Sequence, residues 1–261
     1  MNMRPIAIDD PAVANILATI RNAIDHNRVE LYLQPIVTLP QRKVRYYEVL
    51  TSLRDNSGEI VPAAEFVAVA QSAGLLAAID NVAMFRCIQV ARRLLLDDPH
   101  VGVFCNLAAS TLSDSRIFPQ LLEFLDANRA IAPAILLEFT QAAARQLGFV
   151  ESDRLGTLAD RGFRFSLDNV ADLHIEPSKL ATLGFRFVKM SAAMLLNGTT
   201  AGGHNPADVV ESFNRSGIDL IADHIETEGS VVDLLEHDVR FGQGFLFSPP
   251  RPLRAQALRT R

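Results

Sequence analysis

The stretch FRFSLDN, Phe163–Asn169, alternates apolar and polar residues and ends in an acid and an amide. Alternation with a period of two predicts a short β-strand whose last residues, Asp168 and Asn169, meet solvent. Other strand-like segments of the chain also end on a group that can coordinate a cation or a phosphate. The pattern therefore predicts a scaffold that directs such groups into one mouth.

Eight segments have the character of strands, and most of the gaps between them hold a helical pattern. They are Glu30–Leu39, Val44–Leu50, Val101–Leu107, Ile135–Phe139, Phe163–Asn169, Phe185–Met190, Ile218–Asp223 and Arg240–Phe245. Strands that alternate with helices indicate a parallel sheet with helices outside it. Eight repeats in about 230 residues have the size of a (β/α)8 TIM-like barrel, so the fold class is α/β. Only Pro40–Lys43 separates the first two segments, which predicts an antiparallel first strand pair.

The first 28 residues are expected to lie outside the barrel domain, which we assign to residues 29–261. Met1–Asp10 is polar and is expected to be a loose leader. The spacing of apolar residues after Pro11 predicts a helix that runs to about Asp25 and packs on the barrel, with Asp10 as its N-cap. Asn197–Asn205, which is rich in glycine and threonine, is expected to be a loop.

Composition excludes several classes of protein. A chain of 261 residues that is 49% hydrophobic can bury a large core, and a net charge of −5 argues against a nucleic-acid binder. No apolar run approaches the roughly 20 residues of a membrane span, and no signal peptide is evident. Cys87 and Cys105 lie in apolar runs, which favours two buried free thiols over a disulfide. We expect a cytoplasmic domain without membrane contact, either complete or cut from a longer, membrane-anchored protein.

Polar groups recur at the ends of the predicted strands. They are Gln34, Glu48, Asn106, Glu138, Asp168 with Asn169, Lys189, Asp223 and Gln243. A barrel brings the carboxyl ends of its strands to one face, so these side chains are expected to converge. Hard oxygen ligands suit Mg²⁺ or Mn²⁺ better than zinc. For a single residue a solvated strand end is an equally good interpretation, but it explains the whole set poorly.

The landmarks of the chain resemble those of a known family, the EAL domains, which bind and often hydrolyse cyclic di-GMP. The landmarks are Leu31–Val37, Tyr47–Leu50, Pro62 with Phe66, Asn106–Leu107, Leu137–Thr140, Leu167–Asp168, Val188–Lys189, Ile225–Glu228 and Gln243–Ser248. The resemblance covers about Val29 to Pro252, and it rests on the order and spacing of the motifs. It implies the same barrel with an antiparallel first pair.

The resemblance also implies a site. In the family two divalent cations activate a water that attacks a phosphodiester. By resemblance the first cation would be held by Glu48, Asn106, Glu138 and Asp168. Lys189 would lie near the attacking water, and Lys189 and Glu226 are the remnants of the catalytic set.

Several positions depart from the family pattern around the reaction centre. They are Asn169 for a second aspartate, Val170–Leu173 for a glycine-bearing loop, Gln141 for the glutamate that secures this loop, Asp223 for a glutamate and Ser52 for a phosphate-binding arginine. Asn169 offers one neutral carbonyl oxygen instead of a carboxylate, so a second cation would be poorly held. Arg54 faces the same side as Ser52 but lies farther along the strand. We therefore expect hydrolysis to be absent or negligible.

The parts that hold the nucleotide are better retained. By resemblance Asp80 would accept from a guanine edge, although an exposed helical acid is the alternative. The full set expected to contact the ligand is Gln34, Glu48, Val49, Leu50, Asp80, Asn106, Gln243, Gly244, Phe245 and Pro250. Gln34, Val49 and Leu50 would line the phosphate side, and Gly244, Phe245 and Pro250 would border a base. For Phe245 and Phe247, a place in the barrel core is the alternative.

Three functions follow from this pattern. The first is a receptor that binds cyclic di-GMP without hydrolysis and passes its occupancy to a protein partner, in motility or surface-attachment control. The second is a weak metal-dependent phosphodiesterase, and the third is an interaction module that has lost the nucleotide. Mg²⁺ or Mn²⁺ is not expected to be required for binding. No nucleic-acid partner is expected, and a homodimer stays open.

Overall fold

The computed structural model describes residues 11–197 and 205–253. The predicted leader with its capping Asp10, and most of the predicted loop between Asn197 and Asn205, lie outside these residues. Ten strands occur in the described ranges: β1 Val29–Thr38, β2 Val44–Arg54, β3 Ile60–Pro62, β4 Gly102–Asn106, β5 Ile135–Thr140, β6 Arg164–Asp168, β7 Phe185–Ser191, β8 Asp219–Asp223, β9 Phe241–Gly242 and β10 Arg251–Pro252. The predicted strands are thus present, with shifted ends.

Helices follow most of the strands. In the described ranges they are α1 Pro11–Asp25, α2 Ala63–Ser72, α3 Leu76–Asp97, α4 Ala109–Ser113, α5 Ile117–Ala127, α6 Gln141–Ala144, α7 Phe149–Asp160, α8 Pro177–Thr182, α9 Ala192–Asn197, α10 Pro206–Arg215 and α11 Glu228–Leu235. A short 3-10 helix spans Arg129–Ala134. The helix predicted from Pro11 to Asp25 is confirmed; it buries Ile20 and Ala23 and packs against α2. No helix in the described ranges combines the length and apolarity that crossing a membrane requires.

Eight strands close into a barrel. Parallel pairing runs from β2 through β4, β5, β6, β7 and β8 to β9. β1 pairs antiparallel with both β2 and β9 and so closes the barrel. The short connection after β1 enforces this direction, because a parallel neighbour would need a long crossover. The predicted TIM-like barrel with an antiparallel first pair is confirmed.

Two strand ends differ from the prediction by more than one residue. β2 continues to Arg54 because it pairs with β3 as well as β1, in the register Ser52↔Pro62 and Arg54↔Ile60. β9 stops at Gly242, since the chain beyond it turns to hydrogen-bond with Ile225 on the neighbouring connection. That turn brings the backbone of Gly244 against Ile225, where a Cβ would lie 2.1 Å from the carbonyl oxygen of Ile225. Only glycine permits this approach.

The barrel interior is filled by a layer separate from the main core. It comprises Ile36, Tyr46, Phe104, Leu136, Phe187, Ile221 and Phe241. The rings of Tyr46, Phe104 and Phe187 meet edge to face with centroids 5.2–5.3 Å apart, a favourable arrangement for aromatic quadrupoles. This aromatic layer closes the barrel below the predicted site. In the outer core, Cys87 on α3 and Cys105 on β4 are buried free thiols, as the sequence indicated.

Candidate functional site

The carboxyl ends of the strands bring the predicted polar residues to one mouth. Neighbouring strands place Asn106 opposite Glu138 and Ser191 opposite Asp223. A cavity of about 150 Å³ opens between β6, β7 and β8. It is lined by Asp168, Asn169, Val170, Ala171, Lys189, Met190, Ser191, Asp223 and His224. The expectation that residues distant in sequence converge is met for this set.

Lys189 lies at the floor of the mouth between two glutamates. Its Nζ is 2.8 Å from Glu48 Oε2 and 2.8 Å from Glu138 Oε2, and its side chain is 1% exposed. The ring of Phe104 lies beneath, with its centroid 5.2 Å from Nζ. Ser166 donates to Glu138 Oε1 at 2.9 Å. The sequence pattern missed Ser166, although strand alternation places it on the same face as Asp168.

The two glutamates differ in their acidity. Burial opposes the charge of Glu48, but Lys189 and hydrogen bonds from Lys189, Gln243 and Asn106 lower its pKa below the usual value. Burial raises the pKa of Glu138 to about 8, since the attraction of Lys189 is offset by repulsion from Glu48 and Asp168. Burial also raises the pKa of Asp168, although Lys189 acts in the opposite direction. For Glu138 burial thus outweighs the ion pair with Lys189, whereas for Glu48 the ion pair and the hydrogen bonds outweigh burial.

A chain of amides joins β1, β2 and β9 beside this pair. The amide of Gln243 donates to Glu48 Oε2 at 2.6 Å and to Gln34 Oε1 at 3.2 Å. Gln34 in turn donates to the carbonyl of Ser248 at 3.3 Å. Within the described ranges the buried Oε1 of Gln243 has no hydrogen-bond partner. Because a buried acceptor without a partner is unfavourable, it offers a place for a donor from a ligand or a water.

The residues that would hold the first cation lie close together, with Lys189 between two of their carboxylates, those of Glu48 and Glu138. Their oxygen donors suit Mg²⁺ or Mn²⁺ chemically. Among the described residues no group of three histidine, cysteine, aspartate or glutamate side chains is placed to hold a metal ion.

The second-cation side carries the departures from the family. Asn169 and His224 each follow a strand-terminal aspartate and adopt φ of 50° and 57°, the left-handed region. Asn169 is exposed, while Asp223 pairs with His224 at 3.0 Å. Burial raises the pKa of Asp223, while Lys189 opposes this effect. The arrangement leaves an amide and an aspartate in contact with His224 where the resemblance implies an aspartate and a glutamate.

Side chains of α6 and of the residue after it hold the loop after β6. Gln141 is buried; its Nε2 donates to the carbonyl of Asp172 at 2.8 Å, and its Oε1 accepts from the amide of Ala171 at 2.8 Å. Arg145 adds two hydrogen bonds to the carboxylate of Asp172, at 2.9 and 2.5 Å. Gln141 thus anchors this loop in place of the glutamate of the family pattern, because an amide donates and accepts at once whereas a carboxylate only accepts.

Asp80 is neither free nor simply exposed. Its Oδ2 accepts from the amide of Ala108 at 2.8 Å and from Thr111 Oγ1 at 2.5 Å, so it caps the start of α4. Burial raises its pKa to about 6, against the lowering effect of these two hydrogen bonds. The alternative of an exposed helical acid is excluded, and one oxygen of Asp80 is already committed to the protein.

The remaining residues predicted to contact the ligand differ in where their side chains lie. Leu50 lies on the same face of β2 as Glu48, whereas Val49 points into the outer core and only its carbonyl faces Asn106, at 3.4 Å. Phe245 is 67% exposed, so the alternative of a core residue is wrong for it, while Phe247 packs on the core. Pro250 is half-buried and Glu226 is exposed.

Arg54 does not take the place of the missing arginine. Its Nε pairs with Glu30 at 3.0 Å and its NH1 donates to the carbonyl of Gly58 at 2.6 Å. Ser52 is buried beside this pair, opposite Glu30. The guanidinium is thus bound to neighbouring protein groups at the end of β2.

The barrel and the polar residues at its strand ends define a class of protein. Comparison with known proteins identifies that class. The model of the EAL domain family matches residues 17–250. The chain belongs to the EAL domain family.

Known relatives are similar to this chain in sequence, at low identity. The probable cyclic di-GMP phosphodiesterase PdeG of Escherichia coli (strain K12) is 23% identical over 239 residues, covering 88% of this chain and 46% of PdeG. The cyclic di-GMP phosphodiesterase PdeL of the same strain is 21% identical over 235 residues, covering 88% of this chain and 64% of PdeL. The chain therefore spans less than two thirds of either relative.

Among solved structures, the FimX EAL domain from Pseudomonas aeruginosa bound to c-di-GMP is similar with a TM-score of 0.73 and 21% identity. The match covers 91% of this chain and 96% of that domain. At this identity the likeness shows the shared barrel fold.

Proposed function

We propose that this EAL domain binds cyclic di-GMP at the mouth of the barrel and acts as a receptor that does not hydrolyse it. The observation that carries the proposal is the contrast between the two sides of the mouth. On one side Gln34, Gln243 and Glu48 form a connected hydrogen-bond network. On the other side Asn169 and the His224-paired Asp223 occupy the second-cation position. Relatives that bind or hydrolyse cyclic di-GMP support the choice of ligand.

Loss of hydrolysis follows from the chemistry that the second cation supplies in the family. A pair of cations generates the nucleophile and stabilises the attacking and leaving oxygens. The neutral carbonyl of Asn169 is a weaker ligand than a carboxylate. Without a well-held second cation, the main sources of rate in phosphoryl transfer, positioning and charge stabilisation, are reduced.

Binding without metal is consistent with the charges at the floor. Cyclic di-GMP carries two phosphate charges, which several carboxylates would repel. The ammonium of Lys189 lies 2.8 Å from an oxygen of each buried glutamate and so offsets part of their negative charge. We propose that the phosphates lie shallow, near Gln34 and the backbone of Leu50. The exposed ring of Phe245 and the half-buried Pro250 then border a base.

The receptor would act on a protein partner, in control of motility or surface attachment, as a cytoplasmic domain. Binding of the ligand stabilises the folded state by mass action. Occupancy can therefore change both the amount of folded domain and the surface that the domain presents to its partner.

A weak phosphodiesterase is the second candidate. The retention of the complete first-cation set, Glu48, Asn106, Glu138 and Asp168, favours it.

Calorimetry with cyclic di-GMP tests the proposal. The protein is titrated after exhaustive chelation, and again with Mg²⁺ or Mn²⁺, while chromatography follows the nucleotide. We expect saturable binding that chelation leaves unchanged, and no accumulation of linear dinucleotide. Loss of binding on chelation with recovery on adding Mg²⁺ contradicts the metal-free pose. Many turnovers to linear product would establish the phosphodiesterase instead, and an absence of binding under every condition would leave a ligand-free module.

A further inference from the structure

Arginines collect at the amino ends of the strands, at the end of the barrel opposite the mouth. They are Arg45 near the start of β2, Arg164 and Arg186 at the starts of β6 and β7, and Arg240 directly before β9. The strands β6, β7, β8, β9, β1 and β2 follow one another around the closed sheet, so these four residues lie on one continuous arc. We call the four residues the arginine arc. Asp219, the first residue of β8, is the acid at a strand start within it.

The contacts at the centre of the arc leave positive charge uncompensated. Asp219 pairs with Arg240. The guanidinium of Arg45 lies over the ring of Tyr46, 4.7 Å from its centroid, and has no ion-pair partner among the described residues. Burial raises the pKa of Tyr46, while the charges of Arg45 and Arg240 lower it. Both arginines therefore lie close to the same aromatic side chain.

Arg164 and Arg186 are held at one corner of the guanidinium only. NH1 of Arg164 donates to the carbonyls of Ala159 and Phe163, at 3.1 and 2.8 Å. NH1 of Arg186 donates in the same way to the fifth and the first residue before it, at 3.1 and 2.7 Å. Within the described part of the chain, Nε and NH2 of both side chains have no hydrogen-bond partner. A guanidinium fixed in this way is preorganised for the bidentate binding of a carboxylate.

The arc therefore has four arginines against one aspartate, in a chain whose net charge is −5. Acids such as Asp160 and Asp238 also lie towards this end, but they end or follow helices of the outer layer. The rings of Tyr46 and Phe241, 5.6 Å apart, belong to the layer that fills the barrel behind the arc. An arc of charge in front of a filled layer suits a segment of another protein. An anionic membrane would be held only marginally by so few charges.

We propose that the arginine arc is the docking surface for an acidic segment of a partner protein, rich in aspartate and glutamate. The proposal rests on the receptor function and names the chemistry of its partner. The arc and the mouth lie at opposite ends of the barrel, so docking can be measured without nucleotide. A failure to dock can then be told apart from a failure to bind cyclic di-GMP.

Fluorescence anisotropy of a labelled oligoglutamate peptide, titrated with the whole chain, tests this surface. We expect saturable binding that weakens as salt is added. Arg45→Gln removes one charge of the arc and should weaken binding about threefold, while Asp219→Asn frees Arg240 and should strengthen it about threefold. Arg45→Lys keeps the charge and should bind nearly as well as the unmodified protein. Arg116→Gln is the control, because this exposed arginine precedes α5 in the connection that follows the carboxyl end of β4, and it should leave binding unchanged.

The opposite effects of Arg45→Gln and Asp219→Asn separate docking from misfolding, since a damaged fold would weaken binding in both. Three results would overturn the proposal: no binding of the peptide by the unmodified protein, equal binding by all variants, or binding of vesicles of phosphatidylserine and phosphatidylcholine in preference to the peptide. Peptide binding that follows the variants, in a protein that calorimetry finds not to bind cyclic di-GMP, would support the docking surface and contradict the receptor function alone.

Discussion

Replacing Asp80 with asparagine is expected to remove a pH dependence of folding stability between about pH 4 and pH 6. The carboxyl group caps α4 through Ala108 and Thr111. Burial raises its pKa from 3.8 to about 6. The folded state thus binds this proton more tightly than the unfolded state does.

The sign and size follow from proton linkage. Below the unfolded pKa of 3.8 the carboxyl group is protonated in both states, so its ionisation does not change the free energy of unfolding. As pH rises towards the folded pKa of about 6, the unfolded state ionises first, so the free energy of unfolding falls. A shift of roughly 2 units corresponds to about 3 kcal/mol. We take this as an upper bound, because part of the Asp80 side chain is open to solvent, which screens its charge.

Urea unfolding followed by circular dichroism at pH values from 4 to 7 measures the effect. Relative to the unmodified protein, Asp80→Asn should gain up to about 3 kcal/mol between the two ends of this range. The other buried acids of the mouth contribute equally to the free energy of unfolding of both proteins, so their contributions cancel in this difference.

Asp114→Asn is the matched control. Asp114 caps α5 and accepts from the amides of Ile117 and Arg116, which lower its pKa. The stabilisation by Asp114 is therefore present near neutral pH and is lost as the pH falls. Asp114→Asn should therefore lower the free energy of unfolding near neutral pH more than at low pH, which is the opposite of the change expected for Asp80→Asn. Parallel profiles for Asp80→Asn and the unmodified protein would refute the assigned pKa shift.

Three further substitutions test the site. Asn169→Asp alone should not restore hydrolysis, because Asp223 stays one methylene shorter than a glutamate and Val170–Leu173 stays in place of the glycine-bearing loop; chromatography showing turnover like that of an active family member would contradict this. Gln141→Leu removes the partners of two partly buried backbone groups and should cost about 1–3 kcal/mol; unchanged hydrogen exchange at Ala171 would argue against the loop contacts. Gly244→Ala should cost more than about 3 kcal/mol, since its Cβ meets backbone at Ile225; an unaltered urea midpoint would show that the turn adapts.

The sequence alone predicted the barrel because its signals are local. Alternation marked β6, and the short connection after β1 fixed the direction of the first strand pair. The apolar spacing after Pro11 predicted α1 with its observed ends. The order of the strand-end motifs in the sequence is enough to indicate the family. The helices α4, α6, α8 and α9 were not predicted, because helices of four to six residues are too short to show a helical period.

The partners of the polar groups were decided only by the tertiary structure. The sequence placed Lys189 at a strand end, but its position between Glu48 and Glu138 depends on three strands that meet only when the barrel closes. In the same way, Asp80 became a cap because α4 starts beside α3, and Gln141 became a loop anchor because β6 ends next to α6. Hydrogen bonding depends on distances of a few tenths of an ångström. Such distances are set by the packing of the whole chain, so no pattern in neighbouring residues can specify them.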